Sequence, residues 1–221
     1  MGVLALVLFG SPGSGKGTQA KMLNQKFRIP HISTGDMLRE GIRHGSDLGT
    51  AVVATMQSGA LVRDDLVNLM VKDRLSEPDA VDGFILDGYP RTLDQACFLT
   101  RWMDERGVGE VVIHLAVDYN VIIARLTGRR QCPLCGTLYN VASHPPKVDE
   151  LCDLDGAKLI IRDDDSESVI RGRLEAYRRQ TEPVLAFYRE RGRRVVEVDA
   201  GDDSPEAVFG RVCQALEADD H

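Results

Sequence analysis

The sequence predicts an α/β fold in which a parallel β-sheet lies between two layers of helices. Residues 3–9 (VLALVLF) and 84–87 (FILD) are continuous apolar runs, typical of strands buried on both faces of a sheet. Such runs alternate with amphipathic stretches that are long enough for helices. The first run leads directly into a glycine-rich loop (residues 10–17) and a helix, a strand–loop–helix unit that such folds use to bind phosphate.

The other predicted strands are similarly rich in aliphatic residues. Residues 29–32 form a short second strand, 110–117 (EVVIHLAV) a strand with β-branched content, and 193–200 (RRVVEVDA) the last strand. Helical stretches separate consecutive strands, as expected for parallel strands joined by crossovers. The loops after the strands are therefore expected to meet at one end of the sheet, where these folds bind their ligands.

The predicted helices have recognisable starts and breaks. The stretch STGDMLREGI begins a helix with Ser33 or Thr34 as its N-cap, and Ser204 followed by Pro205 begins the last helix. Pro183 is expected to break or restart a long helix near the C-terminal end of the chain. Helices are predicted over 18–27, 46–58, 64–75, 93–106 and 120–128, from 166 onward, and over 204–216.

Composition limits the classes of function. The chain has 221 residues, of which 43% are apolar and 28% charged, as in an ordinary globular protein. Its 27 Lys and Arg against 34 Asp and Glu give a formal charge of −7, which makes it a poor general binder of nucleic acid. No apolar run approaches the length of a membrane span, and no basic residues precede the apolar start. We therefore expect a cytoplasmic protein with no nucleic-acid or membrane partner.

The loop GSPGSGKGT (residues 10–18) has the spacing of a phosphate-binding loop. Gly10, Gly15 and Lys16 satisfy the pattern G-x-x-x-x-G-K, and Thr18 comes one position later than the usual Ser or Thr. Glycines let backbone N–H groups point at phosphate oxygens, and the helix presents its positive end to the same anion. A simple glycine-rich turn is the alternative, but the strand before it and the helix after it favour a nucleotide site.

Residues after the strand at 84–87 suggest a second anion site. Asp87 ends that strand in the position of a carboxylate that orients Mg²⁺ or its waters. Arg91 follows in the next turn, and Arg39 lies in the helix after the second strand; each arginine offers a planar fork that matches phosphate. Asp36 is a weaker candidate for the magnesium site, because aspartates are common at helix starts.

Residues 131–161, here called the Cys-rich segment, combine Cys, Pro, Gly and Asp and predict short strands and turns. Cys132-x₂-Cys135 and Cys152-x₂-Asp155, separated by sixteen residues, have the spacing of a zinc ribbon whose last cysteine is replaced. Such a site is structural, because protein ligands fill all four positions and the metal supplies folding energy to a small insertion. Asp153 as fourth ligand, iron in place of zinc, a redox pair and unligated thiols remain as alternatives.

The motifs together resemble the adenylate kinase family over almost the whole chain. The loop GSPGSGKGTQA resembles the family's GxPGxGKGT, and STGDMLR (33–39) its AMP-site helix. The stretch GFILDGYPRTLDQA (83–96) is similar to the central strand and arginine turn. RLTGRR (125–130) and RDDDSESVIRGRL (162–174) resemble the two edges of the lid, which in zinc-bearing members includes a Cys-Cys-Cys-Asp set.

The resemblance implies reversible transfer of a phosphoryl group from ATP to AMP, giving two ADP. It further implies Mg²⁺ with ATP, a structural Zn²⁺, a monomer and a role in adenine nucleotide homeostasis. The implied ATP-binding residues are Gly13, Ser14, Gly15, Lys16, Gly17, Thr18, Arg125 and Arg129. The implied AMP-binding residues are Thr34, Arg39, Gly59, Ala60, Leu61, Val62, Gly88, Arg91, Gln95, Arg162 and Arg173. The expected catalytic set is Lys16, Asp87, Arg91, Arg129, Arg162 and Arg173, and the metal ligands are Cys132, Cys135, Cys152 and Asp155.

The resemblance also implies a division of the chain into three parts. The expected parts are a core P-loop domain (1–32, 63–125 and 165–221), a helical AMP-binding insertion (33–62) and a zinc-stabilised, β-rich lid (126–164). A closed lid would keep water from competing with AMP for the phosphoryl group.

Three other functions fit parts of the sequence. Another nucleoside monophosphate kinase could use the same scaffold with UMP, CMP or GTP as one partner. A P-loop nucleic-acid-binding protein with a zinc ribbon is disfavoured by the net acidity. A non-catalytic nucleotide sensor needs only one phosphate site, whereas the arginines bracket two.

Overall fold

The computed structural model of the chain describes residues 4–201 and 203–218, apart from the side chain of Leu48. Parts of the predicted first strand and core domain fall on residues 1–3, 202 and 219–221, which lie outside the described residues. The strands are β1 (Leu4–Phe9), β2 (His31–Ser33), β3 (Gly83–Asp87), β4 (Gly109–Ala116), β5 (Arg129–Gln131), β6 (Leu138–Asn140) and β7 (Arg194–Asp199).

Five of these strands form one parallel sheet in the order β2-β3-β1-β4-β7. The predicted α/β class is therefore confirmed, and each of these strands lies within two residues of its predicted bounds. The central strand β1 is buried on both faces, which explains its continuous apolar run. Strands β5 and β6 pair antiparallel in a separate small sheet within and beside the Cys-rich segment.

The helices begin and end close to the predicted bounds. They are α1 (Lys16–Phe27), α2 (Thr34–Arg43), α3 (Asp47–Gln57), α4 (Asp64–Leu75), α5 (Leu93–Asp104), α6 (Tyr119–Thr127), α7 (Glu167–Ala176), α8 (Glu182–Glu190) and α9 (Pro205–Glu217). Ser33 rather than Thr34 is the N-cap of α2, and Ser204 caps α9. The break predicted at Pro183 is a π-turn (Tyr177–Thr181) between α7 and α8, which the sequence did not predict. No helix within the described ranges is long and apolar enough to cross a lipid bilayer.

Side chains of β1 divide between two apolar layers. Leu6 and Leu8 pack with α1 and α9, whereas Ala5, Val7 and Phe9 pack with helices that include α4, α5 and α8. This three-layer arrangement holds the sheet rigidly. It thereby places the loops after β1 and β3, which are hydrogen-bonded neighbours, side by side at one end.

Helices α2 and α3 cross closely at two glycines. A Cβ atom built on Gly49 would lie 2.2 Å from the carbonyl carbon of Gly41, far inside van der Waals contact. Ser46, the N-cap of α3, also donates its hydroxyl to the Gly41 carbonyl at 3.1 Å. The position of this helical pair therefore depends on the absence of a side chain at Gly49.

We expect Gly49→Ala to lower the free energy of unfolding by about 1–3 kcal/mol, because the added methyl group overpacks the α2–α3 crossing. Gly210→Ala is the matched control, since a Cβ at that position in α9 meets no atom within 4 Å. Its better helix propensity should stabilise the protein by up to about 1 kcal/mol. Chemical denaturation of both variants measures the two effects, and equal unfolding midpoints would contradict the prediction.

Candidate active site

The loop after β1 curls at the start of α1. Gly13 and Gly15 have φ angles of 81° and 94°, in the left-handed region that side chains disfavour. Gly15 is the N-cap of α1, so the positive end of that helix opens into a cavity that Gly17 and Thr18 also line. The backbone therefore forms the anion cradle that the glycine spacing predicts.

Lys16 lines this cavity and bonds to the carbonyls of the loop. Its ammonium donates to the carbonyl oxygens of Gly10 at 2.8 Å and Ser11 at 2.9 Å. Burial lowers the pKa of Lys16 to about 8; Asp87 acts in the opposite direction and the positive charge of Arg91 adds to the lowering. A bound phosphate would stabilise the charged ammonium and raise this pKa.

Asp87 faces the phosphate loop from the end of β3. A Cβ built on Gly17 would lie 3.4 Å from Asp87 Oδ2, and His31 Nε2 on β2 lies 3.3 Å from the same oxygen. Burial acts to raise the pKa of Asp87, but the His31 hydrogen bond and the charge of Lys16 outweigh it and leave the pKa below its ordinary value. The carboxylate is therefore ionised and suited to hold Mg²⁺ or its waters.

The turn after β3 presents Arg91. Its Nε donates to the Gly88 carbonyl at 2.7 Å, and the Thr34 hydroxyl donates to that carbonyl at 2.8 Å. Gln95 accepts the Arg91 N–H at 2.7 Å and donates to Asp64 Oδ1 at 2.7 Å. The Gln95 amide, which the resemblance assigns to adenine, thus already supports the arginine turn and keeps one N–H for a ligand.

Two neighbouring carboxylates, Asp165 buried and Asp164 half-buried, hold arginines from both edges of the predicted lid. Arg129 makes a bidentate pair with Asp165, whose side chain has no exposed surface. Arg173 Nη1 lies 3.3 Å from the same carboxylate and 3.0 Å from Asp164 Oδ2. Fork-to-carboxylate pairing of this kind fixes the direction as well as the position of a guanidinium.

Arg162 and Arg39 are two further cations that line the cavity. Arg162 donates its Nε to the Gln131 side chain, and Arg39 Nη2 lies 2.6 Å from Asp36 Oδ1. Burial, together with the charges of Arg39 and Arg129, lowers the pKa of Arg162 to about 10. The cations of the site therefore repel each other, and an anionic ligand would relieve that repulsion.

The cavity brings most of the predicted nucleotide residues together. Its lining includes Gly13, Gly15, Lys16, Gly17, Thr18, Thr34, Arg39, Gly59, Ala60, Leu61, Val62, Asp87, Gly88, Arg91, Gln95, Arg129, Arg162 and Arg173. Ser14 is buried in the loop rather than in the lining. Arg125 is also outside the lining and donates to the carbonyl of Gly201 before α9.

Two matching turns bring four predicted metal ligands together. The ligand atoms of Cys132, Cys135, Cys152 and Asp155 all lie within 4.8 Å of one another. In each turn a glycine N–H donates to the first cysteine's carbonyl, Gly136 at 3.1 Å and Gly156 at 2.9 Å. Cys135 Sγ is 3.5 Å from Cys152 Sγ, close to the roughly 3.8 Å expected between thiolates around tetrahedral zinc. Asp153 is absent from this cluster and instead accepts the Lys147 N–H at 2.8 Å.

The cluster lies within a very small core. Cys132 and Cys152 are buried with Tyr139 and Leu159, whereas Cys135 and Asp155 face solvent. The hydrogen bond from the Ala157 N–H holds the pKa of Asp155 at about 2, so its carboxylate is available as a ligand. Three sulfur donors and one carboxylate, arranged around a common centre, fit a structural zinc ion.

Comparison with known proteins identifies the family. A family model described as adenylate kinase matches residues 8–193. The chain is 45% identical to the adenylate kinase of Thermodesulfovibrio yellowstonii over 215 residues, 97% of this chain and 99% of that protein. The chain belongs to the adenylate kinase family. It is also 47% identical to the adenylate kinase of Petrotoga mobilis over 197 residues, 89% of this chain and 90% of that protein.

Several site residues of this adenylate kinase family member were not predicted from the sequence. His31 pairs with Asp87 across 56 positions, and Thr181 donates to the Arg91 carbonyl across 90. Asp165 had a visible signal, because three consecutive aspartates follow Arg162 at an edge of the predicted lid. For His31 and Thr181 no local pattern indicated the partner.

We expect Asp165→Asn to lower the free energy of unfolding by about 3 kcal/mol or more, because it leaves Arg129 and Arg173 without their buried anion. Asp104→Asn is the control: it removes an Asp–Arg pair of 2.6 Å whose carboxylate side chain is 53% exposed. Loss of that pair should cost less than about 1 kcal/mol. Denaturant unfolding measures the free energy of unfolding of both variants. A similar loss in both would contradict the prediction.

Proposed function

We propose that the chain catalyses Mg²⁺-dependent, reversible phosphoryl transfer from ATP to AMP, giving two molecules of ADP. One observation carries the proposal: the loop after β1 and the arginine turn after β3 open into the same cavity, which is also lined by arginines from α2, β5, α7 and the loop before α7. Phosphoryl transfer requires two phosphorylated ligands in line, with their charge neutralised. A nucleotide sensor would need only one such site.

The donor nucleotide is proposed to bind at the phosphate loop. Backbone N–H groups from Gly13 to Thr18 and the start of α1 would hold its β and γ phosphates, with Lys16 swinging from the loop carbonyls to the phosphate oxygens. Arg129 would bind the same phosphates from the other side of the cavity. Arg125, next to Gly201, lies where it can contact the nucleoside end rather than the reacting phosphates.

The acceptor AMP is proposed to bind on the side of β2 and β3. Arg39 and Arg91 would hold its phosphate in two guanidinium forks, and Arg162 and Arg173 would neutralise the charge that is shared in the transition state. Thr34, Gln95 and the backbone of residues 59–62 would line the base pocket. No general base is needed, because the AMP phosphate oxygen is already an anionic nucleophile.

Asp87 is proposed to hold Mg²⁺ through a carboxylate oxygen or through coordinated water. Its ionised carboxylate faces Gly17 at the phosphate loop, and the His31 contact orients it. Mg²⁺ commonly uses few protein ligands together with substrate phosphates, and it neutralises phosphate charge when bound. Asp36 also lines the cavity but is already paired with Arg39, which makes it the weaker ligand.

The four-ligand cluster is proposed to bind a structural Zn²⁺ with no role in the chemistry. Residues 126–164 would then act as a lid, 33–62 as the AMP-binding insertion, and the remaining ranges (1–32, 63–125 and 165–221) as the core. Closure of the lid would bring Arg129 and Arg162 to the phosphates and exclude water. We further propose that the enzyme is a cytoplasmic monomer in adenine nucleotide homeostasis and acts on nucleotides alone.

We expect Arg91→Ala to lower kcat/KM for AMP by about 10²–10³-fold while the protein remains folded, because a charge-neutralising group at the reacting phosphate is lost. Arg101→Ala, an exposed arginine of α5 outside the cavity, should keep wild-type rates. The assay is ADP formation from ATP with AMP, CMP, UMP or GMP as acceptor. A preference for another monophosphate would favour a different nucleoside monophosphate kinase, and unchanged turnover in Arg91→Ala would contradict the assigned site.

We expect about one zinc ion per chain by metal analysis, and loss of that ion in Asp155→Asn combined with Cys152→Ser. Metal loss should lower the unfolding temperature by more than about 4 °C, the shift that roughly 1 kcal/mol gives for a chain of this size. Cys97→Ser, at an exposed cysteine outside the cluster, is the control and should retain the metal. Iron in place of zinc would change the metal assignment, and a metal-free protein with unchanged melting would contradict the proposal.

A further inference from the structure

The main chain of Arg91 is held by side chains on both sides. Its N–H donates to Gln95 Oε1 at 2.7 Å, and its carbonyl accepts the Thr181 hydroxyl at 2.9 Å. The guanidinium folds back onto the Gly88 carbonyl at 2.7 Å. Burial, with the nearby charge of Arg173, lowers the pKa of Arg91 to about 10. A displacement of this turn would therefore move a buried charge.

Thr181 reaches Arg91 because the helix widens at that point. In the π-turn (Tyr177–Thr181) the N–H of Glu182 bonds to the Tyr177 carbonyl, five residues back rather than four. Pro183 follows directly; it has no N–H, and in an α-helix its ring would clash with the carbonyl of Arg179. The proline thus accounts for a local break, and the widened turn places the Thr181 side chain against the arginine turn.

The position of Thr181 is that of a support rather than of a ligand. The residue is only 7% exposed, it lines the cavity, and its hydroxyl is directed to the Arg91 carbonyl. Tyr177, at the other end of the π-turn, lines the same cavity. When a main-chain carbonyl loses a hydroxyl that donates to it, it has to find another partner, and the turn that carries it shifts.

We infer that Thr181, presented by the π-turn, is a positioning residue that sets where the Arg91 guanidinium meets the acceptor phosphate. The inference rests on the proposed function, in which Arg91 binds the AMP phosphate. Small displacements of a positioned charge weaken phosphoryl transfer steeply, because in-line geometry is the main source of the rate. The effect should therefore fall on AMP rather than on ATP, whose phosphates lie against the loop after β1.

The test is Thr181→Val, which keeps the shape of the side chain and removes the hydroxyl. We expect kcat/KM for AMP to fall about fivefold, the effect of one lost hydrogen bond, with KM for ATP within about twofold of wild type. Thr181→Ser restores the hydroxyl and should recover most of the loss. Thr100→Val is the matched control, a buried threonine of α5 whose hydroxyl makes no hydrogen bond to a cavity residue.

The outcomes separate cleanly. A selective loss for AMP in Thr181→Val, reversed in Thr181→Ser and absent in Thr100→Val, supports the inference. An equal rise in KM for ATP and for AMP would overturn it, because a merely structural role would not distinguish the two nucleotides. Kinetic constants identical to those of Thr100→Val would overturn it as well. Thermal unfolding of each variant verifies the folded state. Failure of the proposed function appears separately, as an Arg91→Ala variant that retains wild-type kinetics for AMP.

Discussion

Repulsion among like charges is the constraint on which the arrangement of this site depends. Lys16 and the arginines share one partly dehydrated cavity, where two like charges about 4 Å apart repel by roughly 4 kcal/mol at an effective dielectric constant of 20. Asp165 and Asp164 offset that repulsion, because Asp165 pairs with Arg129 and both carboxylates pair with Arg173. These carboxylates hold the guanidinium groups of Arg129 and Arg173 in place, and both arginines still line the cavity. In the proposed function, substrate phosphates would supply further negative charge.

Two arginines of the site, Arg129 and Arg162, flank the Cys-rich segment. Arg129 begins β5 and Arg162 follows the segment's last residues, so both arginines sit where the segment joins the rest of the fold. A bridge between Gln131 and Ile160 closes that junction, and Gln131 also accepts the Arg162 hydrogen bond. Because the segment's own core is small, metal binding at the four-ligand cluster, as proposed above, would help to keep this junction ordered. The cluster would then influence the position of the two arginines without taking part in the reaction.

Local signals predicted most of the fold, and long-range contacts account for what was missed. Apolar runs and caps located the five strands of the parallel sheet, and the helix ends that were predicted, within two residues, because buried strands and helix starts have characteristic composition. Ligand spacing likewise located the cysteine turns, since each turn is built from adjacent residues. The pairings of His31 with Asp87 and of Thr181 with Arg91 join residues far apart in the chain. Such pairings leave no periodic pattern, and Pro183 indicated a break without indicating its form.

The neighbouring positions of β1 and β3 set a distance as well as a topology. Adjacent strands lie about 4.8 Å apart, held by main-chain hydrogen bonds that every side chain leaves unchanged. The loop and the arginine turn follow these two strands, so in the proposed function the backbone would set the span between the two nucleotides. Under the proposed function, side-chain replacements in the base pockets would alter which nucleosides bind, while the distance between the two phosphate sites would stay the same. Nucleoside selectivity and reaction geometry are in this sense separable parts of one scaffold.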